Sequence, residues 1–167
     1  ITLAHEADEV IGMIAGTSLS GTNNETLNVG NVGSVIIRAT QEADDSFSSA
    51  TQDITLTIQE APLTVTATSG LSKVYGEIDP TLTYSITGFV NSDAESSLDT
   101  GVTISRVAGE TVGDYTITPS EASDSNYAIT FVPSTFEITQ ANLTVTATSG
   151  LSKVYGEIDP TLTYSIT

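Results

Sequence analysis

Along most of the chain, apolar and polar residues alternate with a period of two. In the run Leu63 to Thr68, Leu63, Val65 and Ala67 fall on one side and the three threonines on the other. The alternation recurs at Leu82, Tyr84 and Ile86, at Val102 and Ile104, at Tyr115 and Ile117, at Tyr127, Ile129 and Phe131, and at Phe136 and Ile138. Successive side chains of a strand point to opposite faces, so this pattern predicts half-buried strands. Outward threonines suit a pleated surface because they are β-branched. No segment sustains helical spacing of apolar residues. Gly70, Gly76, Pro80, Gly88, Gly101, Gly109, Gly113, Pro119 and Pro133 punctuate the runs and mark their ends. About seven short strands in about 80 residues predict an all-β fold of immunoglobulin-like antiparallel β-sandwiches. Pro133 interrupts the last long run and must mark a bulge, a crossing or an edge.

The pattern repeats at long range. Residues 63–87, LTVTATSGLSKVYGEIDPTLTYSIT, return letter for letter at 143–167, a spacing of 80 residues (143 − 63). A fainter echo at the same spacing sets Asn31–Phe47 beside Thr111–Tyr127, and Ile58, Ala61 and Leu63 beside Ile138, Ala141 and Leu143. Such periodicity marks a tandem array. Residues 1–60 read as the later part of one unit, with strands expected in DEVIGMIAG, TLNVG, SVIIRAT and DITLTI. Residues 61–140 read as a complete unit, and residues 141–167 as the opening strands of a third. The linkers TIQEAPL and ITQANL leave little slack, and Pro62 stiffens the first by fixing its own φ and restricting Ala61.

Composition narrows the function. Against 21 acidic residues stand 4 basic ones, a formal charge of −17. That balance argues against nucleic acid, which needs Lys and Arg clusters, and against anionic membrane surfaces. Its plainest consequences are solubility and repulsion between neighbouring chains. Cysteine is absent, which removes disulfides and thiolate metal sites. No apolar run reaches the roughly 18 residues of a membrane span. The opening residues ITLAHEADEV read as an internal stretch of a longer chain, so location is inferred from the repeats.

Candidate chemistry is sparse. His5 is the one histidine, and no base stands by to activate a hydroxyl nucleophile. No phosphate loop or His/Cys metal spacing occurs, so the sequence predicts no enzyme. Carboxylates cluster in equivalent loops, Glu42, Asp44 and Asp45 in one, Glu121 and Asp124 in another. These are the candidate ligands for calcium, which takes six to eight oxygens; the plainer reading is solvated turns. Lys73 is expected in a short strand with an exposed stem, and a covalent crosslink to an Asn or Asp is the sharper reading. Tyr84, Tyr115 and Tyr127 fall in phase with inward apolar neighbours, which favours core over a sugar-stacking platform. Tyr115, after Val112-Gly113-Asp114, is placed as in a tyrosine corner, with its phenol bonded to nearby backbone.

A family resemblance rests on Tyr75-Gly76, Pro80, Leu82-Thr83-Tyr84, Gly88, Arg106, Gly109-Glu110, Val112-Gly113, Tyr115, Asn126-Tyr127 and Phe136-Glu137-Ile138-Thr139. Over residues 63–140, and in truncated form over 143–167, the chain resembles the MBG domain, a module of large repetitive bacterial surface proteins. Residues 1–60 are more similar to the tail of a generic bacterial Ig-like repeat, with Ser46-Phe47 where the family pattern has Asn-Tyr. The resemblance implies an extracellular stalk or spacer in an adhesin or cell-surface filament, and it brings no catalytic or ligand residues. A carbohydrate- or protein-binding module, or an accessory domain of an extracellular enzyme, is the alternative. Expected partners are neighbouring repeats. Strand complementation between molecules is a further expectation, pairing the opening strands at 143–167 with a unit at 1–60 that lacks them.

Overall fold

The structure, a computed structural model, describes residues 7–11, 18–20 and 26–167. Residues 12–16 of the expected strand DEVIGMIAG, and His5, lie outside the described residues. In chain order the strands are β1 (Ala7–Ile11), β2 (Ser18–Ser20), β3 (Thr26–Asn28), β4 (Gly33–Gln41), β5 (Ala50–Ile58), β6 (Ala61–Ala67) and β7 (Leu71–Val74). They continue as β8 (Tyr84–Thr87), β9 (Thr103–Arg106), β10 (Gly113–Ser120), β11 (Tyr127–Val132), β12 (Ser134–Thr139), β13 (Val145–Ala147) and β14 (Tyr164–Ile166). The helix content of the described residues is a single 3₁₀ turn at Glu95–Ser97. The chain is all-β, as the period-two pattern requires.

Residues 61–139 carry the expected seven strands. They form a three-stranded sheet ordered β8-β6-β11 and a four-stranded sheet ordered β7-β12-β10-β9. Ala67 of the first sheet packs with Ile117, Phe136 and Ile138 of the second, flanked by Leu71, Leu82, Ile104 and Tyr115. Leu63, Val65, Ile117 and Phe136 are fully buried. Each such side chain contributes about 1.5–3 kcal/mol by leaving water. The inward phase read from the sequence is therefore the core of this unit. Pro119 lies beyond the β10–β12 ladder, which ends at Ile117, and stands opposite Ile104 of β9 on the other side.

The expectation of a wholly antiparallel fold is corrected at two ladders. β11 runs parallel to β6, Tyr127 opposite Ala61 through Val132 opposite Thr66, and β12 runs parallel to β7, Phe136 opposite Leu71 through Thr139 opposite Val74. Hairpin neighbours must be antiparallel, but these pairs join the first strands of the unit to its last, where no hairpin dictates direction. Both partners change sheet at the same level. The first does so through Thr68, Ser69 and Gly70, the last through Pro133 alone. Proline, which cannot donate to a ladder, thus marks a crossing, and the hydroxyl of Ser134 closes the corner by donating to the Thr68 carbonyl at 2.8 Å.

The 80-residue echo is structural. Gly33 pairs with Ile58 and Ile37 with Ile54 in β4–β5; Gly113 pairs with Ile138 and Ile117 with Ser134 in β10–β12. Each pair in one ladder lies 80 residues from its counterpart. β1 takes the place beside β4 that β9 takes beside β10. The small β2–β3 hairpin is inserted between β1 and β4. The identical peptide behaves likewise: Val65 pairs with Ile86 and Ala67 with Tyr84, while Val145 pairs with Ile166 and Ala147 with Tyr164. What differs is cover. Val65 is fully buried, whereas Val145, Tyr164 and Ile166 are 61%, 67% and 52% exposed.

Candidate functional site

The densest polar constellation lies at one edge of the core of residues 61–139. After β7 the chain reverses through Val74-Tyr75-Gly76-Glu77, where the Glu77 amide donates to the Val74 carbonyl at 3.0 Å. Gly76 holds φ at +90°, the third-position geometry of a type II turn that glycine adopts without strain. The Glu77 side chain tightens the loop by accepting from the Val74 amide at 3.2 Å. This turn brings Asp79 back over Lys73.

Lys73 is buried, its side chain only 3% exposed. Its ammonium bridges Asp79 Oδ1 at 2.7 Å and also meets Glu110. The expected exposed stem is therefore wrong: Lys73 shares the inward phase of Leu71 on β7, and two carboxylates meet it there. Arg106, at the end of β9, completes a four-residue ring. It grips Asp79 with Nε at 2.5 Å and Nη2 at 3.0 Å, and Glu110 with Nη2 at 2.9 Å. Its Nη1 donates to the carbonyls of Val107 and Gly109 at 2.8 and 2.9 Å. The guanidinium lies 5.2 Å from the ring centre of Tyr115 and 5.0 Å from that of Phe136, within cation–π range of both. Tyr115 donates its hydroxyl to the Thr111 carbonyl at 2.7 Å, the tyrosine-corner bond expected from the sequence. Gly109 lies so close that a Cβ there would enter the Tyr115 ring.

Electrostatics follow from the contacts. The Arg106 guanidinium, then the Lys73 ammonium, hold Asp79 down to about 2. Glu110 is lowered as well, chiefly by Lys73. Lys73 is raised by Asp79 and then Glu110, and Arg106 by Asp79. A crosslink needs a neutral, nucleophilic amine; this ring holds the amine charged. Its chemistry is that of an ionic lock, joining β7, the turn after it, the end of β9 and the loop before β10.

The calcium candidates fall in two places. Glu42, Asp44 and Asp45 lie in the β4–β5 loop, where Asp44 Oδ1 accepts the amides of Ser46 and Phe47, each at 2.7 Å. Glu121 and Asp124 lie between β10 and β11, where Asp124 Oδ1 accepts the Asn126 amide at 2.7 Å. The second loop adjoins the opposite end of the β4–β5 hairpin, where the Val32 amide donates to Asn126 Oδ1 at 3.0 Å. A hairpin of that length separates the two sets by about 27 Å, so they do not form one site. Among the described residues no three His, Cys, Asp or Glu gather as metal ligands.

Of the tyrosines, Tyr127 is 4% exposed and donates its hydroxyl to Asp93 at 2.7 Å. Tyr84 and Tyr115 are half-buried, with their phenols bonded to Glu95 and to Thr111. Tyr127 is buried and Tyr115 packs against the core cluster, as their phase predicted. Two contributors escaped the sequence reading. The Lys73–Asp79–Arg106–Glu110 ring was foreshadowed by the inward parity of Lys73 and by the places of Arg106 and Glu110 in the family pattern. Asn126 has no signal beyond its place in the family pattern.

Residues 63–137 match the family model of the MBG domain (YGX type), and Tyr75-Gly76-Glu77 lies within the matched segment. The family is a repeat-type domain of surface proteins rather than a catalytic one. No curated protein and no solved structure matches the chain significantly. Among the described residues no helix is long and apolar enough to cross a membrane.

Proposed function

We propose that the chain is a segment of a tandem array of immunoglobulin-like sandwiches that acts as a stalk on a bacterial cell surface, projecting a distal binding domain. The observation that carries this reading is the parallel pairing of the first and last strands of the unit at 61–139. Because β6–β7 and β11–β12 run the same way, the chain enters the unit at one pole and leaves it at the other. Units joined in that manner string end to end and do not fold back. The rise of the strand run 61–74 sets an advance of about 40 Å per unit. Short linkers and the strong negative charge favour extension further.

Small-angle scattering on chains of increasing repeat number tests the reading. The maximum dimension is expected to grow by about 40 Å with each added unit. Growth as the cube root of mass, the mark of a compact particle, would overturn it.

A further inference from the structure

The junction between residues 26–58 and the MBG domain is a built joint. Asn126 lies at its centre. The Asn126 carbonyl accepts from the Ala61 amide at the start of β6 at 2.9 Å, and its side-chain oxygen accepts from the Val32 amide of the preceding unit at 3.0 Å. A small cleft of about 150 Å³ closes around this pair. Asn31, Val32 and Ala61 line it from one side, and Val90, Asn91 and Tyr127 from the other. Asp124 fixes the Asn126 backbone from below, and the Tyr127 hydroxyl, accepting from the Val90 amide at 3.1 Å, fixes the neighbouring loop.

The far pole of the MBG domain carries the first half of the same joint. Thr111, Val112 and Ala141 stand 80 residues beyond Asn31, Val32 and Ala61, before and after strands of equal register. With Tyr75 and Leu143 they line an open cleft of about 700 Å³. Val32 is half-buried in its joint; Val112, at the equivalent place, is 49% exposed, and Leu143 is 70% exposed. The surface is the same, without the opposing half.

We propose that this pole is a docking face for the base of a following unit of the same kind, pinned by the Val112 amide donating to the asparagine that stands where Asn126 stands here. The inference rests on the tandem reading above and adds a specific joint to it. The joint holds successive units at a defined angle, because one residue bonds the first strand of its own unit and the preceding unit at once.

The test uses the chain extended by residues 88–140 appended after Thr167, which completes the second copy, with amide hydrogen exchange followed by NMR. Exchange at Val112 is expected to slow roughly five- to tenfold on extension, the worth of one hydrogen bond. Changing the asparagine of the appended copy to alanine should restore fast exchange, and changing it to aspartate should not. Protected strands in the appended copy with unchanged exchange at Val112 would overturn the joint. The tandem reading would survive that result if scattering still showed a rod. Should the appended copy not fold, the unextended chain decides: Asn126→Ala must speed exchange at Val32 by a similar factor while Asn126→Asp does not, and no change at Val32 overturns the proposal.

Discussion

Lys73 and Arg106 illustrate how a chain with few cations uses them. Each of its four basic residues is paired: Arg38 with Asp53, Lys73 with Asp79 and Glu110, Arg106 with the same two, and Lys153 with Asp159. A pH dependence follows. Asp79 titrates near 2 when folded and about 3.9 when unfolded, so its contribution is whole above about pH 4 and disappears as pH falls toward 2. Lys73 is raised above its ordinary value, so its contribution is whole at neutral pH and is lost only as pH rises through that higher value. The melting temperature is therefore expected to fall on acidification between about pH 4 and pH 2. Asp79→Asn should lower it at pH 7, because it strands a buried ammonium against fewer charges, and should flatten the acid limb. Thermal melts across that range check this; an unchanged acid limb in the variant would assign the effect elsewhere. The sequence made half of this legible. The parity of Lys73 with Leu71 points inward, but the meeting of residues 73, 79, 106 and 110 depends on the turn at Gly76 and on the β9–β10 hairpin.

At the scale of elements, the repeated peptide is an internal control. Its local pairing is identical in both copies, down to the Thr68–Thr83 bond of 2.9 Å and its Thr148–Thr163 counterpart of 2.9 Å. The hairpin therefore belongs to the peptide itself. β7 does not: Leu71–Val74 is a strand paired with β12, whereas the identical residues 151–154 form no strand. Strand positions and facing were legible in the alternation, because period two is a local property. Parallel pairing was not, because it is decided by which distant strand lies alongside. Phe136→Ala tests the dependence of the core on β12. It should destabilise the unit by about 3–5 kcal/mol, read from urea midpoints, with the β13–β14 resonances unmoved. A loss below 1 kcal/mol would mean that Phe136 does not organise this core.

At the scale of the whole molecule, charge and connectivity act together. With Arg38, Lys73, Arg106 and Lys153 all paired internally, most other carboxylates among the described residues are exposed and repel those of neighbouring chains. The connectivity has a mechanical consequence. A unit pulled from its ends is loaded through β6 and β12, whose ladders to β11 and β7 lie along the line of force. Their hydrogen bonds are then sheared together and do not open one at a time. Pulling across Thr103 and Ser120, paired at the open end of β9–β10, would instead unzip bonds in sequence. Because the chain has no cysteine, a thiol introduced at each attachment point is unique, and both geometries can be compared by force spectroscopy. Rupture from the ends should need the greater force, and equal forces would refute the idea. The parallel terminal strands would then make each unit strongest along the axis that joins its two ends.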